Sequence, residues 1–347
     1  MSPAPRQSGS RTRACLRGVR VHLGTLTRML VEGMLLLTLD VQLAVLDRRL
    51  STTIAGHQAW VRLPRPPRAK EGIGLLGGEL EAPIFEQVSD GEKLRAWMQD
   101  GASPAWGKCY YRTQTGGAAS VSRCAVSVQV RPEQSLAQRQ TVANSVTANV
   151  GTWCSLVLDW LEVAYGQRPR PAGVSEPSPV APWMWTIDDE RRADLTQREQ
   201  VLVADGTALL DDAIDAVSLQ RVLLAAGAGL RPPTAVLLRR DASRQHHAGD
   251  FRRAVLDAGT AAELALFAVL PNPKERDTLG TLVAKANRLG RLVRPTAKQD
   301  FVDVRNDAAH RGLAPSAAQA EKALSLAAEY VEAAWPRAQL VAQLPNA

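Results

Sequence analysis

The spacing of apolar positions changes period about halfway along this chain. Between residues 29 and 131 the runs are short and strand-like. Val41, Leu43 and Val45 alternate with Gln42 and Ala44, which reads as extended backbone. Ile73 to Phe85 is broken by glycines and also reads as strand. Cys124, Val126, Val128 and Val130 make the clearest alternation, and Pro132 ends it. Glu92 to Met98 has room for one or two helical turns anchored by Trp97. From Glu133 the period lengthens. Val142, Val146, Val150, Trp153, Val157, Trp160 and Leu161 recur mostly at three- and four-residue steps, which predicts a long amphipathic helix to about Tyr165.

Five prolines between residues 167 and 182 forbid a continuing helix and mark a linker or surface loop. Trp183 to Ile187 reads as a short strand or an anchoring segment. Residues 190–230 are helical in composition, with Leu209, Leu210, Ile214, Val217, Leu219, Val222 and Leu223 as apolar positions, and Pro232-Pro233 stops that run. Beyond it almost everything is helix. The first covers Thr234 to His247. Asp250 is a natural N-cap for the second, Phe251 to Leu270. Others follow over Thr278 to Gly290 and Lys298 to His310. Gly312 suits the position past a helix end and Pro315 blocks continuation. Ser316 with Gln319 forms a capping box for a last helix, Ala317 to Trp335, closed by Pro336.

The expected fold is therefore α+β: a small N-terminal sheet with a long helix, then an all-α helical bundle. The expected boundaries are a disordered basic tail (1–28), an α+β accessory domain (29–166), a proline-rich linker with connecting helices (167–236) and the bundle (237–336).

Charge changes this picture less than its total suggests. The chain has 347 residues and a net charge of +7, but residues 1–50 alone supply +5. The remainder is nearly balanced, so bulk charge names no partner. The 35 arginines against seven lysines look like a coding bias. A translation start at Met29 or Met34 would account for the basic tail. The four cysteines (Cys15, Cys109, Cys124, Cys154) form no CxxC and have no histidine cluster near them, so neither zinc nor a disulfide framework is expected. Met34 to Leu46 is too short to span a bilayer and is interrupted by Asp40. The expected location is the cytoplasm, with no membrane contact. His246-His247 reads as surface. No glycine-rich phosphate loop is present, and no cofactor or metal is called for.

The candidate chemistry is one short run, Arg305-Asn306-Asp307-Ala308-Ala309-His310, inside a predicted helix. Histidine exchanges protons near neutral pH, and arginine can grip a phosphate in bidentate fashion. Together they suit phosphodiester cleavage in RNA, where the 2′-hydroxyl is the nucleophile. On a regular α-helix Arg305 and His310 lie about 140° apart. A joint site therefore needs the arginine's reach, a distorted helix end, or a second copy of the chain. The bare spacing is weak: about half an Arg-x4-His is expected by chance and two occur, the other at Arg17 and His22. Arg305 could instead pair with Asp300 or Asp303, and His310 could cap its own helix end.

Residues 237–335 resemble the HEPN domain family, helical bundles whose signature is Arg-x(4–6)-His, often with a polar residue after the Arg. Arg305-Asn306-x-x-x-His310 carries the resemblance, with the helix from Gly249 to Glu263 as its companion. The resemblance implies a homodimer with the Arg and His of both copies in one cleft. It implies a metal-independent endoribonuclease in an antiphage-defence, toxin–antitoxin or RNA-processing setting, with a cognate regulator encoded nearby. It assigns Arg305, Asn306 and His310 to the site, with Glu263 as an acidic residue that orients it. Family members that have lost activity bind only, and such an inactive dimerisation or binding module is the alternative expectation.

Overall fold

The computed structural model describes residues 30–67, 78–83, 106–112, 116–131, 134–167, 183–187, 190–194 and 213–347. Among the described residues the N-terminal part forms a sheet of eight strands: β1 (Leu30–Gln42), β2 (Arg49–Ile54), β3 (His57–Arg62), β4 (Gly78–Glu79), β5 (Gly107–Arg112), β6 (Gly116–Gln129), β7 (Trp183–Ile187) and β8 (Glu190–Asp194). The main order is β2-β3-β6-β1-β7-β8, and β5 joins β6 alongside β4. Every pair of these strands among the described residues is antiparallel.

The strand β1 is longer than the alternation at Val41 to Val45 suggested. It runs from Leu30 to Gln42, and Leu43–Val45 is a 3-10 turn. This strand sits between β6 and β7. A centrally placed strand tolerates a nearly unbroken apolar run, which hides the two-residue period. Along β2 the alternation is plain, with Leu50, Thr52 and Ile54 buried. The expected strands at 107–131 and 183–187 are present as β5, β6 and β7. Residues 190–194 are a strand, not helix: they pair back on β7 in a hairpin, and that pairing overrides helical composition.

The long helix α1 (Leu136–Tyr165) starts at Ser135, which forms a reciprocal capping box with Gln138, and ends at Gly166 in the left-handed region. Its buried face holds Val146, Val150, Trp153, Val157, Trp160 and Leu161. Trp153 Nε1 donates to Thr52 Oγ1 (3.2 Å), and that hydroxyl donates to Leu223 O (2.7 Å) in α2 (Ala216–Gly227). One buried chain of hydrogen bonds thus ties sheet, α1 and α2 together.

The bundle contains α3 (Thr234–His247), α4 (Phe251–Val269), α5 (Leu279–Arg288), α6 (298–311), α7 (Ala317–Ala334) and α8 (Arg337–Gln343). Helix α4 packs against α3 and α7 through Ala254, Val255, Ala258, Ala261, Ala262 and Ala265. These small side chains allow the helices to approach closely. Pro336 closes α7 as its position implied, but α7 is not the last helix: Pro336 also caps the start of α8, a position where proline is tolerated. Arg240 and Arg244 of α3 form ion pairs with Asp159 and Glu162 of α1, which fastens the bundle to the long helix. The apolar core continues from the sheet through α1 and α2 into the bundle.

The expected tail (1–28), the turns at Glu92 to Met98 and most of the proline-rich segment lie outside the described residues, as do Leu209 and Leu210. Among the described residues no helix is long and apolar enough to cross a membrane.

Candidate functional site

The run from Arg305 to His310 lies on α6, and this helix is not a regular α-helix. Lys298–Asp303 and Asp307–Arg311 have π geometry, with one α turn, Val304–Asn306, between them. At the end, Gly312 takes φ 66° and ψ 16°, and its N–H donates to Asp307 O, five residues back. A π turn is wound more widely than an α turn, so the separation of about 140° on a regular helix does not carry over unchanged to Arg305 and His310. Phe301, Val302 and Ala308 are buried and seat α6 against the bundle.

Arg305 extends across α4. Its Nη2 lies 3.5 Å from Glu263 Oε1. That oxygen also accepts the N–H of Leu279 (3.1 Å), the first residue of α5. Glu263 therefore holds the arginine and caps a neighbouring helix at the same time. The stem of Arg305 passes over Gly259, where a Cβ would stand 2.8 Å from Arg305 Cγ and 3.3 Å from its Nε. The Nε is buried and has no hydrogen-bond partner among the described residues. Arg305 Nη1 reaches Asn306 Oδ1 at a long 3.5 Å.

Arg305 does not pair with Asp300 or Asp303. Asp300 faces Lys322 (3.6 Å), and Asp303 is exposed. Nor does His310 cap its helix. Its side chain is exposed and makes no hydrogen bond or ion pair among the described residues. Arg305, Asn306 and Glu263 are thus brought together, while His310 stands apart from all three at the helix end with a free imidazole. The other two histidines of the bundle are occupied locally. His247 Nδ1 lies 2.6 Å from Ser243 O, and the His246 ring packs on Phe251.

Arg305 pairs with Glu263 and Arg311 with Asp307 (3.1 Å) in the run itself, and Arg253 pairs with Asp257 (3.8 Å) along α4. Burial raises the Asp257 carboxyl above its usual range, opposed by Arg253 and reinforced by Asp241 and Asp250. Arg252 has no carboxylate partner among the described residues, and its Nε donates to Ala308 O (3.0 Å).

Two participants escaped the sequence reading. Gly259 sits inside a helix, where glycine costs about 1 kcal/mol relative to alanine, and that misplacement was the available signal of a close approach. Arg252 gave none, because arginine is common throughout the chain. Among the described residues no group of three or more His, Cys, Asp or Glu side chains could hold a metal ion. Comparison of the chain with protein-family models, curated proteins and solved structures finds no match.

Proposed function

We propose that this chain is an endoribonuclease of the HEPN type that works as a homodimer without a metal ion. The carrying observation is the pairing of a positioned guanidinium with a free imidazole on one distorted helix: Arg305 is held by Glu263 over Gly259, and His310 is exposed and unpartnered among the described residues. In this reading the ribose 2′-oxygen attacks the adjacent phosphorus and the bond to the 5′-oxygen breaks, leaving a 2′,3′-cyclic phosphate and a 5′-hydroxyl. One proton leaves the 2′-hydroxyl and one is delivered to the 5′-oxygen. His310 of one copy and His310 of the other divide those two transfers. Arg305 offsets the charge that builds on the phosphoryl oxygens. Asn306 supplies an amide beside it.

The test is cleavage of single-stranded RNA by the purified chain in the presence of EDTA, compared with His310→Ala and Arg305→Ala. Both variants should keep their helical circular dichroism and lose cleavage. If both cut RNA as fast as the unaltered chain, the reading fails.

A second reading rests on the same ion pair. An arginine neutralised by Glu263 is also what an inert, structural motif would contain, and a binding-only dimer then follows. Reproducible metal-free cleavage that depends on His310 removes it.

A further inference from the structure

If Arg305 is compensated by Glu263, the site needs another cation to hold a phosphate. The arginines of α4 and α6 are Arg252, Arg253, Arg305 and Arg311. Three of them face a carboxylate: Arg253 faces Asp257, Arg305 faces Glu263, and Arg311 faces Asp307. Among the described residues, Arg252 alone of the four does not, and its side chain is exposed.

Its position is set by one bond. Arg252 is the second residue of α4, where Asp250 is the N-cap. Its Nε–H donates to the carbonyl oxygen of Ala308 (3.0 Å), at the C-terminal end of α6. The last carbonyls of a helix lack intrahelical donors and carry partial negative charge, so a guanidinium is held well there. Ala308 is two residues before His310, so this anchor holds Arg252 at the same end of α6 as the free imidazole. Only Nε is engaged. The two Nη groups have no partner among the described residues. A guanidinium fixed through Nε presents its Nη edge for a planar, two-point grip on a phosphate.

Resting on the reading of this site as one for RNA, we propose that Arg252 is its phosphate-holding residue and contacts one backbone phosphate of a single-stranded RNA beside His310. Arg305 then serves the reacting phosphoryl group, and Arg252 holds the strand in place.

The experiment measures binding, not cleavage. The full chain carrying His310→Ala is titrated with a short fluorescent single-stranded RNA at several salt concentrations. Arg252→Gln, Arg252→Lys and Arg253→Gln are each added to that background. In Arg252→Gln the new side-chain amide still reaches the Ala308 carbonyl as a donor, so the helix end keeps its cap and only the charge is removed. Each phosphate neutralised on a single strand contributes about 0.7 to the slope of log K against log salt. Arg252→Gln should weaken binding several-fold and lower that slope by about 0.7 per contacted phosphate. Arg252→Lys should retain the slope, and Arg253→Gln should leave it nearly unchanged.

An unaltered slope in Arg252→Gln overturns the assignment and leaves Arg252 as a helix cap only. An equal fall in Arg253→Gln also overturns it, since bulk charge is then responsible. A parent chain that binds no RNA overturns it as well. If the wild-type chain fails to cleave but binds RNA with an Arg252-dependent slope, the nuclease reading falls while this assignment stands.

Discussion

A Cβ placed on Gly259 would stand 2.8 Å from Arg305 Cγ, so the arginine stem occupies the space that any other residue at position 259 would need. The glycine is buried within α4, and the guanidinium beyond it meets Glu263, one helical turn further along. The groove over this glycine is what lets an arginine of α6 lie flat on α4.

Gly259→Ala follows directly. The added methyl gains helix propensity, about 1 kcal/mol at most, and forces the Arg305 stem away from α4. Thermal unfolding should change little, because gain and clash oppose each other. RNA cleavage should fall at least about tenfold, the equivalent of about 1.4 kcal/mol of transition-state stabilisation. Adding Arg305→Ala should cause no further loss beyond that of Arg305→Ala alone, as expected for residues acting as a unit. Full cleavage by Gly259→Ala would show that the position of Arg305 is irrelevant.

Glu263 separates into two roles by substitution. Glu263→Gln keeps an oxygen to accept the Leu279 N–H and loses only the charge facing Arg305. This partly exposed pair should contribute under about 1 kcal/mol to stability. Glu263→Ala also leaves the Leu279 donor without its acceptor and should cost about 1–3 kcal/mol in urea denaturation. Equal destabilisation by the two variants would refute the capping role.

The π geometry of α6 gives a third expectation. A π turn is a helix holding one residue more than an α turn would, so deleting Ala309 should restore an ordinary helix end. The deletion variant should retain its helical circular dichroism and lose RNA cleavage, because the histidine and the residues after it are then carried to a different position around the helix relative to Arg305. Retained cleavage would remove the π turn from the account of the site.

Acidity acts elsewhere, at the contact between α1 and α3. Burial pushes the Glu162 carboxyl above its usual 4.5, against the pull of Arg244 and Arg240. Burial pulls Arg240 down, and Asp159, Asp241 and Glu162 together more than offset it. For Glu162 the folded state thus binds its proton more tightly than the unfolded chain does. Its contribution to stability is full below about pH 4.5 and is lost as pH rises through the higher folded value. Stability of the unaltered chain relative to Glu162→Gln should therefore decline as pH is raised across that window. Melting curves of both proteins at a series of pH values check the sign, and a difference that grows in favour of the unaltered chain would contradict it.

Much of the architecture is local and could be read from the chain. Asp250 and Ser316 with Gln319 start helices where capping chemistry placed them, and Gly312 ends α6 in the left-handed region as its neighbours implied. Apolar periodicity determined α1 and the division between sheet and bundle, because burial of one helix face leaves its mark at every third or fourth position. Residues 190–194 and β1 escaped, since strand pairing is a property of the partner strand and not of the segment.

The run from Arg305 to His310 was visible by residue type, but only the folded chain decided what each member faces. Helical spacing offered Arg305 a choice of Asp300, Asp303 or solvent, and the tertiary structure supplied Glu263 from another helix through the gap at Gly259. The π turn is likewise absent from any periodicity, because α and π winding place nearly the same residues inward over a single turn. Arg252 at the Ala308 carbonyl completes the contrast. The sequence by itself determined which elements form and where they stop, through contacts a few residues apart. Which side chains meet was decided by the packing of α4, α5 and α6, through contacts between segments whose separation along the chain carries no signal of their nearness.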